Sequence, residues 1–150
     1  MIVIADYGMG NLGSLKNMFK AINQKVSIES CPKQISLAKK LVLPGVGNFD
    51  KAMDLINKTD GLRDIIIDKA SNQKVPVLGI CLGMEMFFQQ SEEGKEKGLD
   101  IMPGEVVMLP IDMKIPHMGW NNLEITKDSK ILEGVDNNSW VYFVHSYRVK

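Results

Sequence analysis

The segment Val75-Pro76-Val77-Leu78-Gly79-Ile80-Cys81-Leu82-Gly83 constrains this chain more than any other. An apolar run from Val75 to Ile80 drives into Gly-Ile-Cys-Leu-Gly, and a helix-like segment follows. This is the G-x-nucleophile-x-G elbow of a sharp strand-to-helix turn, with cysteine at its tip. Such a bend pushes the central side chain out of the sheet. Glycine is needed on both sides because larger side chains would collide there. The pattern predicts that Cys81 stands near a helix N-terminus, where the dipole favours thiolate and the Leu82 N–H can hold an oxyanion. Taken alone, a cysteine after a core strand reads as a small buried hydrophobe. The paired glycines argue against that, since core packing has no use for both.

The pattern along the chain alternates short apolar runs with amphipathic segments. Ile2–Ala5, Val26–Glu29, Leu41–Leu43 and Val75–Ile80 read as strands, the last as the central buried one. Leu12–Ile22, Phe49–Ile56, Leu62–Ala70 and Leu82–Gln90 read as helices. Strands that are continuously apolar, set in β-α-β order, imply a mostly parallel sheet with helices on both faces. From about residue 104 the runs become shorter and closer. Glu105–Leu109, Asn122–Ile125 and Trp140–Val144 predict added antiparallel or mixed strands. With 150 residues and no linker, the chain reads as one α/β domain spanning 1–150.

Net charge is zero, so neither nucleic acid nor an anionic membrane surface is an expected partner. The two cysteines, Cys31 and Cys81, form neither a disulfide framework nor a zinc cluster, and they fit a reducing cytoplasmic setting. No metal and no cofactor is expected. The Met1–Gly8 start lacks a basic region before its apolar residues and reads as a first strand. Gly8, Gly10 and Gly13 match a G-x-G-x-x-G spacing, but no acidic residue closes the next strand convincingly, so a dinucleotide site is not supported.

Pro44-Gly45-Val46-Gly47 also ends a strand. Glycines on both sides of Val46 would let that peptide unit rotate and supply the second oxyanion donor that an elbow needs. An ordinary sharp strand exit fits the same residues. A thiol nucleophile usually works with an imidazole, and only His117 and His145 exist. His145, at the end of an apolar strand, is the better placed on chemistry alone. The residues leave open whether either one does more than hydrogen-bond a loop.

Five segments together resemble a known family. They are Asp6-Tyr7-Gly8-Met9-Gly10-Asn11-Leu12, Leu43-Pro44-Gly45-Val46-Gly47-Asn48-Phe49, Gly79-Ile80-Cys81-Leu82-Gly83-Met84, Pro116-His117-Met118-Gly119-Trp120-Asn121 and Tyr142-Phe143-Val144-His145-Ser146-Tyr147. The chain resembles the class I (triad) glutamine amidotransferases from Ile2 to Val149. Within them it is similar to glutaminase subunits of imidazole glycerol phosphate synthase. The resemblance implies a flavodoxin-like fold and a glutaminase reaction. Cys81 would attack the side-chain amide of glutamine. Leu82 and, after a peptide flip, Val46 or Gly47 would hold the oxyanion. Gly45, Glu85, Glu93, His145, Ser146 and Tyr147 would line the substrate, with Glu93 on its α-amino group. The ammonia would pass to a (β/α)8 cyclase partner in a heterodimer, faced by Asn11, His117 and Trp120.

Two departures from the family pattern matter. The family carries glutamine at the position of Glu85. A glutamate there adds negative charge near Cys81, which opposes both thiolate formation and a carboxylate-bearing substrate. The resemblance also places the catalytic His and Glu in an H-P-E segment downstream of the Phe143–Tyr147 strand, and the sequence ends at Lys150 before one. The expectation is therefore a domain incomplete at its C-terminus, holding the nucleophile and oxyanion hole without the base. Three alternatives stand beside the lead. They are a paralogue feeding ammonia to a surface-sugar amination pathway, a catalytically impaired interaction subunit, and a cysteine hydrolase using His117 or His145.

Overall fold

The computed structural model describes residues 1–150 except Ile111 and Met113. It divides into two compact units, Met1–Val107 with Val149–Lys150, and Met108–Arg148.

The first unit is built on a parallel sheet of four strands in the order β2-β1-β3-β4. These are β1 (Ile2–Ala5), β2 (Val26–Glu29), β3 (Lys40–Leu43) and β4 (Val77–Gly79). Neighbouring strand residues point to opposite faces. Val3 and Ile4 are both buried, as are Leu41 and Val42, so both faces are covered, as continuous apolar strands require. On one face, Ile4 and Val42 pack with Leu15 of α1 (Leu12–Ala21), with Leu12 and Phe19 around them. Helix α1 starts where the Asn11 side chain accepts the Ser14 N–H, and it stops before Asn23, which takes a positive φ. The short α2 (Pro32–Ile35) follows β2.

Helix α3 (Phe49–Lys58) buries Phe49, Ala52, Met53 and Ile56, the i, i+3, i+4, i+7 stripe of an amphipathic helix. Asn48 caps it by accepting the Lys51 N–H. Helix α4 (Leu62–Ile67) runs on into a π-turn, Asp68–Asn72. There the buried Lys69 ammonium donates to the Ala38 carbonyl at 2.8 Å. Helix α5 (Leu82–Glu85) follows β4, and β5 (Val106–Met108) leads towards the second unit.

Two expectations for this unit are corrected. The Val75–Ile80 run is not the central strand. β4 spans three residues at the edge of the described sheet, and Leu78 is 46% exposed. An apolar run signals affinity for a core but not a place in the strand order. The helix after the elbow ends at Glu85 rather than Gln90. The carbonyls that a longer helix would use are taken by a later segment: Met86 O accepts Leu99 N–H, and Phe87 O accepts the Ile101 and Met102 amides.

The second unit holds β6 (His117–Asn122) and β7 (Trp140–His145), an antiparallel ribbon registered from His117 opposite His145 to Asn122 opposite Trp140. A 3-10 turn, Lys130–Leu132, lies in the long connection. β8 (Tyr147–Val149) returns to the first unit. The strand expected at Asn122–Ile125 lies earlier. Asn121 and Asn122 end the first strand of the ribbon, where Asn122 Nδ2 reaches Asn138 Oδ1 at 3.0 Å.

Ile56 is fully buried on the core stripe of α3. Ile56→Ala should cost about 2–5 kcal/mol, read as a lower urea midpoint with an unchanged denaturant slope.

Candidate active site

Cys81 is exposed and carries a free thiol. Its backbone sits at φ 55, ψ −120, outside the regions that ordinary L-residues prefer. Such a conformation costs about 1–3 kcal/mol and persists only where the surroundings enforce it. The enforcing contacts are visible. A Cβ at Gly83 would overlap the Leu43 carbonyl oxygen, and one at Gly79 would overlap the Met84 backbone. The strand and the helix start are thus closer than any side chain permits. Cys81 O accepts from Met84 N–H at 2.8 Å and Glu85 N–H at 3.2 Å, which seals the turn. Leu82 is the first helical residue, so its N–H has no intrahelical acceptor.

The Pro44–Gly47 loop lies against this turn. A Cβ at Gly45 would stand 2.6 Å from the Gly83 nitrogen and 2.9 Å from Leu82 Cβ. Gly47 has φ +101, which a larger residue would resist, and Val46 is exposed between the two glycines. Sequence reasoning missed what holds the loop's near end. The Tyr7 hydroxyl, on a side chain only 5% exposed, donates to the Pro44 carbonyl at 2.6 Å. Burial pushes the Tyr7 phenol well above its ordinary range. Gly10 packs on the same proline, where a Cβ would come within 2.8 Å of Pro44 Cβ. That contact gives one member of the G-x-G-x-x-G spacing a packing role in the site.

Beyond the loop, the Glu93 carboxylate accepts the Phe49 N–H at 2.7 Å, at the first residue of α3. Asp50, the next residue, accepts Lys95 N–H at 2.8 Å and Glu96 N–H at 2.9 Å. Those two amides, Glu96 first, hold the Asp50 carboxyl below its usual range. Glu85 is buried on the turn after Cys81.

In the second unit, the two histidines form a proton-ordered pair. His145 Nδ1 lies 2.8 Å from the Tyr147 carbonyl, which can only accept, so that nitrogen carries hydrogen. In the neutral ring, His145 Nε2 then accepts from His117 Nδ1 at 3.1 Å. His117 Nε2 is left to accept from Asn121 Nδ2 at 3.4 Å. Every ring nitrogen of the pair is engaged within this unit. Phe143 stacks on His117 at 4.7 Å. The Ser146 carbonyl accepts the Leu109 N–H at 2.9 Å. The opposite face of the ribbon carries Met118, Trp120, Trp140, Tyr142 and Val144, all exposed, with Trp120 at 68%.

The first unit therefore assembles Cys81, Leu82, Gly45 and Gly83, with Glu93 at the loop's far end. His117, His145, Ser146, Tyr147 and Trp120 lie in the second unit, and Asn11 caps α1 in the first. Among the described residues, no group of three or more His, Cys, Asp or Glu side chains is placed to hold a metal ion. No helix among them is long and apolar enough to cross a membrane.

Comparisons with known proteins converge. The family model for glutamine amidotransferase class-I matches residues 3–150. An imidazole glycerol phosphate synthase subunit HisH from Archaeoglobus fulgidus is 46% identical over 149 residues, covering 98% of this chain and 72% of its own length. The subunit of that name from Caldanaerobacter subterraneus is 47% identical over 150 residues, covering 99% of this chain and 73% of its own length. Among solved structures, a glutamine amidotransferase superposes on all of this chain and 74% of its own, at TM-score 0.77 and 15% identity. Another, from Thermotoga maritima, covers all of this chain and 62% of its own, at TM-score 0.64 and 18% identity.

Tyr7→Phe removes the donor to a buried carbonyl and should cost about 1–3 kcal/mol at neutral pH, read by urea unfolding. The phenol is raised on folding, so its contribution is full below the unfolded value near 10 and fades as pH rises through the folded one. Stability should therefore decline above about pH 10 in the parent, with a shallower alkaline limb in Tyr7→Phe.

Proposed function

The chain belongs to the class-I glutamine amidotransferases, and we propose that it hydrolyses glutamine to glutamate and ammonia for a (β/α)8 cyclase partner that forms imidazole glycerol phosphate in histidine biosynthesis. One observation carries the glutaminase reading: an exposed thiol held at a strained elbow, with the Gly45 loop against the first turn of α5. The pathway reading rests on the 46–47% identity to synthase subunits over nearly all of this chain. A cytoplasmic setting goes with that pathway and with the two free thiols.

In the proposed reaction, the Cys81 thiolate attacks the side-chain amide carbon of glutamine and forms a C–S bond. The carbonyl electron pair moves onto oxygen. The Leu82 N–H receives that charge, joined by the Val46 or Gly47 amide once the peptide between the glycines turns inward. The C–N bond then breaks, and the nitrogen leaves with a proton as ammonia. Water adds to the glutamyl thioester, releasing glutamate and restoring the thiol. Glu93 receives the α-ammonium group, and Glu85 flanks the substrate one helical turn from Cys81.

We assign the base to neither His117 nor His145, because either would have to abandon its partner in the ordered pair. The exposed apolar face of the ribbon supports a docking partner, with Trp120 at its centre. A contiguous face of Met, Trp, Tyr and Val side chains is the kind of surface that a protein partner covers.

The test is reconstitution with a candidate cyclase barrel. Cyclase product should form with glutamine as nitrogen source, and Cys81→Ser should lower that rate by about a hundredfold or more. Free ammonium should still drive the barrel in the Cys81→Ser mixture. Glutamine-dependent product that survives Cys81→Ser contradicts the reading. Product formed only with a sugar-aminating partner would move the pathway to the paralogue.

A further inference from the structure

The Pro44–Gly47 loop is fixed at its near end by Tyr7, whereas its far end runs into the first turn of α3. Two carboxylates from different segments meet there. Glu93 reaches across to the Phe49 amide, and Asp50, on α3 itself, reaches back to the amides of Lys95 and Glu96. The exchange is reciprocal: the loop lends an acid to the helix, and the helix lends an acid to the loop. The fit is close. A Cβ at Gly94 would overlap the Asp50 carboxylate, so glycine is the residue that lets the backbone wrap around it. The loop start is secured separately, where Glu93 N–H donates to the buried Ser91 hydroxyl at 3.1 Å.

A carboxylate has two oxygens, and only Oε2 of Glu93 is used on Phe49. We propose that Asp50 is the positioning residue for amino-acid recognition: by clamping the 94–96 backbone it fixes Glu93 at the exit of the Pro44–Gly47 loop, with Oε2 on the Phe49 amide and Oε1 presented to the α-ammonium group of the substrate. This rests on the reading of Glu93 as the ammonium contact and names what holds it in place. The Phe49 amide sits at the positive end of α3 and orients the carboxylate before substrate arrives. Without the Asp50 clamp, the 94–96 backbone loses two charge-assisted bonds, and Glu93 is held on the Phe49 amide and Ser91 alone. Glutamine would then lose its ammonium contact, while the thiol and the Leu82 amide stay as they are.

The test compares two electrophiles on the full chain. One is a chloroketone analogue of glutamine that keeps the α-ammonium group, and the other is iodoacetamide, which has none. The readout is the ratio of their second-order rates on Cys81, by peptide mass spectrometry. Asp50→Ala should lower that ratio by about tenfold, the scale of one misplaced charge-assisted hydrogen bond. Asp50→Asn, which keeps Oδ1 as acceptor, should recover most of the loss. Gly94→Ala, which displaces the carboxylate, should behave like Asp50→Ala. Both reagents slowing together, with the ratio unchanged, indicates a merely structural role and overturns the inference. If Asp50→Ala fails to fold by circular dichroism, Asp50→Asn decides the matter: a ratio lowered less than in Gly94→Ala supports the clamp, and equal ratios overturn it. A parent ratio on Cys81 no higher than on Cys31 overturns the glutamine reading along with this one.

Discussion

The structure of the first unit depends on one close approach. The turn after β4 and the loop after β3 come together at distances that exclude any Cβ at Gly45, Gly79 or Gly83. That approach forces Cys81 into its positive φ and turns its thiol outward. It also sets a loop with a positive-φ glycine, Gly47, beside the first helical residue, Leu82. Strain of about 1–3 kcal/mol at Cys81 is a small fraction of what core burial supplies, provided the surrounding strands are rigid. The fully buried side chains of β1, β3 and α3 provide that rigidity.

Much of this was legible because it is written in local patterns. Continuous apolar runs announced a parallel sheet covered on both faces, and Gly-Ile-Cys-Leu-Gly announced the elbow. What escaped the sequence is non-local. The place of β4 at the edge of the described sheet depends on strand order, which hydrophobicity does not encode. The early end of α5 depends on amides at Leu99, Ile101 and Met102 reaching back to Met86 and Phe87. Tyr7 looked like part of a glycine-rich turn, yet its hydroxyl travels 37 residues along the chain to hold Pro44. A Tyr buried beside a glycine loop was the available signal, since a buried phenol must find an acceptor.

The second unit shows the same limit from another direction. His117 and His145 stood out as the only imidazoles, but their spacing says nothing of cross-strand register. The ribbon sets them opposite each other, and the Tyr147 carbonyl then dictates the proton pattern of the pair. Alternation along the same two strands gathers Trp120, Tyr142 and Trp140 on the other face, where the edge-to-face contact of Trp120 with Tyr142 spans 5.7 Å. Two strands thus divide their roles by parity: one face is ordered by hydrogen bonds, and the other is apolar and open.

All of the chemistry proposed for this chain stands on Cys81 being the nucleophile that its backbone conformation presents. Incubating the chain with glutamine, quenching in acid and mapping peptides by mass tests this directly. A glutamyl thioester should appear on the Cys81 peptide and none on the Cys31 peptide. An adduct shared equally by the two cysteines, or turnover of glutamine with Cys81 never acylated, would contradict it.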